Sequence, residues 1–381
     1  MAHDQTNNSV VFNTRHQRRQ YDATRLQNSV SLVTHPTLCF DNPQFPKSAG
    51  ARAGLVGVGL ERDRSTVWTW CFETELRVWG PAAPRLDVSL PEAQRYCRRL
   101  ATGHYENFPV VSWLLPASLH QHFYNVYAYC RWADDLGDET GDPARSLELL
   151  AWWRDQLQAC YAGQATHPVF IALAPTIAEF NLPIEPFEDL ISAFVQDQSL
   201  CEYETYDQLL DYCRRSANPV GRLVLMLFRR RGDAHFAWSD SICTGLQLAN
   251  FWQDVSRDLE IGRIYLPRED REQFGVSRND LLSRHSTPEF IELMRFEVER
   301  ARAFLRPWRS QSKEPLAEFS FRQQIEIELF ARGGLAVLDR IEAVGYRVLE
   351  QRPVVSKLDF ARLITGCIVR SLRRAWLGSR S

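Results

Sequence analysis

The stretch "LANFWQDVSRDLEIGRIYLP", Leu248 to Pro267, decides how the fold is read. Gln247, Asn250, Asp254 and Asp258 stand at i, i+3, i+7 and i+11, which places them on one face of an α-helix. Leu246, Leu248, Ala249, Phe251 and Trp252 flank that face. An acid directed into an apolar interior is costly unless it is paired or holds a cation. Taken alone, two aspartates four residues apart are more often a solvated stripe, here with Arg257 or Arg263 as ion-pair partners.

A second stretch changes the balance. "YAYCRWADDLGDE", Tyr127 to Glu139, sets Tyr127, Arg131, Asp134 and Asp138 at i, i+4, i+7 and i+11, within about 60° of one another on a helical wheel. Val126, Ala128, Tyr129, Cys130 and Trp132 fill the rest of those turns. The two acid pairs lie about 120 residues apart, which suits opposite walls of one helical bundle. Four facing carboxylates would repel without a cation between them. Mg²⁺ takes oxygen ligands and binds through one or two carboxylates plus substrate phosphates. Two such stripes therefore suggest a Mg²⁺ cluster that holds a diphosphate and neutralises it as a leaving group, favouring carbon–oxygen heterolysis.

Outward from these helices, the pattern is helical from "SLPEAQRYCRRLA" (Ser89 to Ala101) to the end. Ser89 can cap, Pro91 suits a first turn and Glu92 adds an early acid. Turns fall at "ETGDPARS", "AGQATHPVF", "FNLPIEPF" and "SRHSTPEF". The expectation is an all-α fold, one helical domain over residues 86–381. Residues 1–85 are polar without helical period or punctuated by Pro and Gly, and read as a poorly ordered or loosely attached extension. Within them "STVWTWCFETELRVW" (Ser65 to Trp79) reads as a short strand.

Global properties narrow the classes. The formal net charge of the 381 residues is -2, so nothing points to nucleic acid. Nine cysteines, irregularly spaced and without CxxC, argue for reduced thiols and a cytoplasmic protein. There is no apolar run of about 18 residues that would span a membrane, and no secretory signal.

At the two acid motifs the sequence resembles the squalene/phytoene synthase family, over most of the helical part. "DDLGD" (Asp134 to Asp138) and "DVSRD" (Asp254 to Asp258) are similar to its two aspartate motifs. "HYENFPV" (His104 to Val110), "YCRRSANPVG" (Tyr212 to Gly221) and "GRIYLP" (Gly262 to Pro267) resemble its substrate segment, its kinked central helix and the segment after the second motif. The resemblance implies the isoprenoid synthase fold, a single helical domain around a central active-site cavity. "HYENFPVVSWLLP" and "YCRRSANPVGRLVL" look most like hydroxysqualene synthases of bacterial hopanoid pathways. Those enzymes ionise presqualene diphosphate and capture the rearranged cation with water; a separate synthase and a flavin enzyme act before and after them. The nearest alternative is a head-to-head synthase making presqualene diphosphate, squalene or phytoene from two prenyl diphosphates. A basic residue and a serine often found in the first segment of such condensing enzymes are replaced here by Tyr105, Glu106 and Asn107. A catalytically dead assembly protein is a third reading, and a terpene cyclase, which usually carries an asymmetric second motif, a fourth. No GxGxxG stands between a strand and a helix, so no NADPH site is evident.

The roles follow from stripe geometry and resemblance together. Asp134, Asp138, Asp254 and Asp258 are expected to hold Mg²⁺, with Asn250 beside them. Asp135 lies off the stripe and reads as a supporting or helix-surface acid. Gln247 is either at the site or a satisfied buried amide. Arg131 suits diphosphate oxygens or a structural pair with Asp134 or Asp135. Arg263 and Tyr265 are placed to close over the diphosphate, and His104 to bind phosphate. Tyr127 and Tyr212 are expected to face the carbocation. Gly221, with Ala217 and Pro219, bends a helix and makes room for a chain. Phe108, Trp113 and Phe228 line a prenyl tunnel or simply the core. The basic end "CIVRSLRRAWLGSRS" is either an interfacial helix at the inner membrane surface or a solvated terminal helix.

Overall fold

The computed structural model describes residues 70–103, 115–306 and 318–378, without the side chains of 357 and 373–378. Within these residues the chain forms fourteen helices. They are α1 (Phe72–Trp79), α2 (Leu90–Gly103), α3 (Ala117–Asp138), α4 (Pro143–Tyr161), α5 (Pro168–Phe180), α6 (Glu185–Gln196) and α7 (Tyr206–Ser216). The second half carries α8 (Asn218–Leu227), α9 (Asp233–Glu260), α10 (Arg268–Gln273), α11 (Arg278–Leu282), α12 (Pro288–Leu305), α13 (Phe321–Ala343) and α14 (Lys357–Gly378). Among the described residues there is no strand, only one isolated parallel bridge between Glu202 and Ile264. None of these helices is long and apolar enough to cross a membrane.

Local chemistry explains where the helices stop and start. Asp142 caps α4 by accepting from the Ala144 N–H at 3.0 Å, with Pro143 in the first turn. His167 caps α5 and Thr205 caps α7. Ser320 and Gln323 form a reciprocal capping box on α13, which satisfies two orphan N–H groups at once. Asn181, at φ 47°, ends α5 in the left-handed region, where asparagine is tolerated. All four Pro- and Gly-marked turns named from the sequence lie between helices.

Two long helices organise the bundle. α3 packs on α2, α4, α5, α6 and α8; α9 packs on α7, α8, α12 and α13. α8 touches both, so it joins the two helices that carry the aspartate motifs.

The stretch expected to be a strand is a helix. Phe72, Glu75, Leu76 and Trp79 recur at i, i+3, i+4 and i+7 and face inward, while Glu73, Thr74, Arg77 and Val78 are exposed. The β-branched and aromatic residues just before it suggested extended chain, but the packing of this face decides. The packed unit also reaches back beyond residue 86. Phe72 joins the core, Tyr96 donates to Glu75 at 2.9 Å, and the Trp70 indole donates to Asp135 at 2.9 Å.

Candidate active site

α3 is fixed by polar ties as well as apolar packing. Asn125 donates to Ala172 O at 2.8 Å and to Thr176 Oγ1 at 3.0 Å, and Tyr129 donates to Phe187 O at 2.8 Å. These bonds set the helix's rotation, and with it the polar stripe. Tyr127 and Asp134 are buried, while the Asp138 side chain is 46% exposed. The stripe thus runs from the interior to a mouth. Burial raises the Tyr127 pKa well above its ordinary value, with Arg131 opposing and Asp135 and Asp134 reinforcing.

Arg131 does not point at open space. Its Nε donates to Asp135 Oδ2 at 2.9 Å, and Asp135 also accepts from Trp70. Asp135 is fully buried, so it is not a helix-surface acid. Burial pushes its pKa up to about 7, against the pull of Arg131. Arg131 thus stands in an ion pair with Asp135, one turn along the helix.

α9 presents the second stripe. Gln247, Asn250 and Asp254 are buried and Asp258 is half-buried. Asn250 Oδ1 is enclosed with no hydrogen-bond partner among the described residues. Arg352 grips Asp254 with two donors, Nε to Oδ1 and Nη2 to Oδ2, the latter at 3.1 Å. Burial, reinforced by neighbouring Asp254, raises the Asp258 pKa well above the carboxylate range, while Arg263, Arg257 and Arg352 oppose it.

Arg263 joins the two motifs. Past the end of α9, Gly262 takes φ 80°, a conformation side chains rarely allow. That turn brings the Arg263 N–H onto Asp258 O at 2.8 Å. Its guanidinium crosses to Asp138 Oδ1 at 2.9 Å. The next residue, Ile264, is pinned by its N–H to Cys201 O at 2.7 Å. The first and second aspartate motifs therefore meet through one arginine.

Behind Arg263 lies an aromatic cluster around Asp197, a residue the sequence reading passed over. The Tyr212 hydroxyl donates to Asp197 Oδ2 at 2.7 Å. Asp197 Oδ1 is enclosed without a hydrogen-bond partner among the described residues. Burial pushes the Asp197 pKa up to about 7, opposed by Arg263 and the Tyr212 bond. Tyr265 stacks on Phe251 with centroids 3.9 Å apart and 11° between planes, and on Tyr203 at 5.8 Å. Tyr265, two residues after Arg263, is thus packed into this aromatic cluster.

An apolar cavity lies along the earlier turns of α9, Trp238 to Leu246. Leu246, adjacent to Gln247, lines it together with Gly221, Val224, Phe228, Phe330 and Glu326. Its space free of protein atoms, about 570 Å³, includes a part open to solvent. The break between α7 and α8 falls at Ala217, with Pro219 in the first turn of α8. Gly221 lets α8 press on α9: a Cβ there would stand 2.4 Å from Ser239 Oγ and 2.5 Å from Cys243 Sγ. It both lines the cavity and permits a close helix contact.

His104, Phe108 and Trp113 lie outside the described residues, as do Tyr105, Glu106 and Asn107. Asp197, Arg352 and Glu326 had no sequence signal of their own, since each is a single charge in a helix end, a coil or an apolar turn. Among the described residues no three acid, histidine or cysteine side chains gather into a closed metal cluster; Arg263 and Arg352 neutralise the carboxylates instead. The donor set still fits Mg²⁺. It is all oxygen, it comes from both stripes, and it includes the unpartnered Asn250 Oδ1, as a hard cation requires.

Comparison with known proteins agrees with this geometry. The squalene/phytoene synthase family profile matches residues 101–359. The crystal structure of squalene synthase HpnC from Alicyclobacillus acidocaldarius superposes with a TM-score of 0.63 at 44% identity, over 69% of this chain and 97% of that one. A phytoene synthase of Arthrospira platensis is 30% identical over 71% of this chain and 91% of its own length. A hydroxysqualene synthase of Rhodopseudomonas palustris is 32% identical over 67% and 83% respectively. The chain belongs to the squalene/phytoene synthase family, and its all-α architecture is that of the solved squalene synthase.

Proposed function

We propose that the protein converts presqualene diphosphate to hydroxysqualene: the diphosphate leaves, the cation rearranges, and water supplies the hydroxyl while the released proton passes to diphosphate or solvent. The observation that carries the reading is the convergence of both aspartate motifs on Arg263, just past the end of α9, while earlier turns of the same helix, Trp238 to Leu246, line an apolar cavity. A charged head and a hydrocarbon chain can be held at once. The relatives named HpnC squalene synthase and hydroxysqualene synthase favour this step. The phytoene synthase relative keeps the second reading in play, condensation of two prenyl diphosphates.

Asp134, Asp138, Asp254, Asp258 and Asn250 would hold Mg²⁺, which when bound supplies positive charge to the departing diphosphate. Arg263 and Arg352 balance the carboxylates and offer donors to phosphate oxygens. Asp197 holds the Tyr212 hydroxyl, and the packed rings of Phe251, Tyr265 and Tyr203 exclude water behind the reacting head. The site is expected to work in the cytoplasm, with a lipid substrate delivered at the membrane surface and the basic α14 as the element nearest anionic lipid.

Product analysis tests this directly. Purified protein with Mg²⁺ should turn presqualene diphosphate into the alcohol and leave farnesyl diphosphate untouched. Consumption of farnesyl diphosphate alone would establish the condensing reading instead. Asp254→Asn should lower turnover by about 10²-fold or more while far-UV circular dichroism stays helical; unchanged turnover would remove the metal assignment, and a wild type that turns over neither diphosphate would leave the assembly-protein reading.

A further inference from the structure

Glu326 is out of place by every local rule. It sits in the first half of α13 and is 2% exposed. Neither carboxyl oxygen has a hydrogen-bond partner among the described residues. Two residues on, Glu328 is equally buried but is gripped by Arg332 and Arg370, so this helix does pair its buried acids where pairing serves structure. Glu326 instead faces the apolar cavity, with Ile327 and Phe330 of its own helix and with Val224 and Leu246 opposite. Burial alone pushes its pKa up to about 8, so at neutral pH the group is largely an uncharged acid with one donor and one free acceptor. A neutral carboxyl in a hydrocarbon-lined space costs stability unless something completes its hydrogen bonds. The rest of the lining offers an aliphatic and aromatic surface, which suits a chain and not a charged group.

We propose that Glu326 is the oxygen-binding group of the chain cavity: it holds one neutral oxygen, a water before the reaction and the product hydroxyl after it, against an otherwise hydrocarbon ligand. This rests on the cavity being the chain site of the proposed reaction. The water's oxygen forms the new carbon–oxygen bond to the cation, and the proton it sheds goes to the departed diphosphate or to solvent, so Glu326 need neither gain nor lose a proton overall. A carboxylic acid suits the task because it can donate to the oxygen and accept from it at once. The same carboxyl would reject a cavity filled with hydrocarbon only, since its two oxygens would then stay unpartnered.

Binding can be read without turnover. Trp238 lines the cavity and reports occupancy by its fluorescence. Titration with squalene and with hydroxysqualene should show the wild type preferring the alcohol by about tenfold or more. Glu326→Leu should bring the two affinities together, and Glu326→Gln, which keeps a donor and an acceptor, should retain most of the preference. Circular dichroism checks that both variants fold. Equal affinities in the wild type, or an undiminished preference in Glu326→Leu, would overturn the assignment. The product assay stands apart: if the wild type makes no alcohol from presqualene diphosphate, the reaction reading fails, while the binding preference still judges Glu326. If the wild type does make it, Glu326→Leu should lower the alcohol fraction of products several-fold with diphosphate release less affected.

Discussion

The guanidinium of Arg263 lies 2.9 Å from Asp138 Oδ1 while its own backbone N–H is tied to Asp258, so one residue couples two motifs 120 positions apart in the chain between Asp138 and Asp258. A cation bound by those aspartates must compete with it. Replacing Arg263 by alanine removes the competitor and leaves the carboxylates facing one another. The variant should melt lower than the wild type in EDTA, by an amount worth no more than about 1 kcal/mol because Asp138 is 46% exposed. It should then gain more stability than the wild type on adding Mg²⁺, while turnover falls because a diphosphate donor is gone. A melting-temperature series against Mg²⁺ measures this; an identical Mg²⁺ response in both proteins would show that Arg263 does not occupy the cation's place.

Gly262 controls where that arginine stands. At φ 80° its backbone suits glycine, and the position where a Cβ would go is open, so strain and not a clash sets the effect of substitution. Gly262→Val should cost about 1–2 kcal/mol and reduce turnover through a displaced Arg263. Gly262→Asn, which visits the left-handed region more readily, should do less harm in both measures. Denaturant unfolding and steady-state kinetics on the two variants give the ranking, and equal effects would argue against backbone geometry as the cause.

The Tyr212–Asp197 hydrogen bond makes a pair that can be tested as a unit. Asp197→Asn and Tyr212→Phe should each reduce kcat/KM by about 10- to 100-fold. If Asp197 acts through Tyr212, the double variant should be little worse than either single one. Multiplying effects would mean that Asp197 contributes separately.

What was legible in the sequence follows a physical pattern. The helices of the bundle were readable because start signals, turns and apolar faces are local properties: Ser89 with Pro91 and Glu92, the turn at "ETGDPARS", and the stripes at 100° per residue. The two aspartate pairs were readable because polar spacing inside an apolar helix is costly and therefore informative. Partners were not readable. That Arg131 forms its ion pair with Asp135, that Arg352 reaches Asp254 across 98 positions, and that Tyr265 lies flat on Phe251 depend on where coils and helix ends pack. The helix at Phe72–Trp79 was obscured because Trp, Thr and Val before it favour extended chain while its own four inward residues only make sense once α2 and α3 are beside it.

That early helix should matter for stability. Removing the chain through Pro84 would deprive buried Asp135 of the Trp70 donor, Tyr96 of Glu75 and the core of Phe72. A loss of roughly 3–5 kcal/mol is expected from the uncovered core side chain together with the orphaned polar groups. Trp70→Phe alone removes the hydrogen bond to Asp135 while keeping an aromatic ring beside Trp132, and should cost about 1–2 kcal/mol. Denaturation of the deletion variant at wild-type stability would show that this segment is not part of the cooperative unit.

The pH dependence of stability isolates Glu326. Its pKa is about 8 in the folded protein and near its ordinary value of 4.5 when unfolded. An acid whose folded pKa is raised binds its proton more tightly in the native state. Its contribution is therefore fully present below about pH 4.5 and is lost as pH rises toward 8. Across that window the wild type should lose up to about 1.4 kcal/mol per pH unit from this group, and Glu326→Gln should lose none of it. Asp135 and Asp197, also pushed up to about 7, slope the same way, but they are present in both proteins and cancel in the difference. The other titratable group on the cavity wall, Cys243, is pushed up to about 12 and stays protonated throughout. Urea unfolding of the two proteins from pH 5 to 8.5 should give curves that separate steadily with rising pH, Glu326→Gln becoming the more stable. Parallel curves would mean that Glu326 is not the buried, unpartnered acid on which its oxygen-binding role depends.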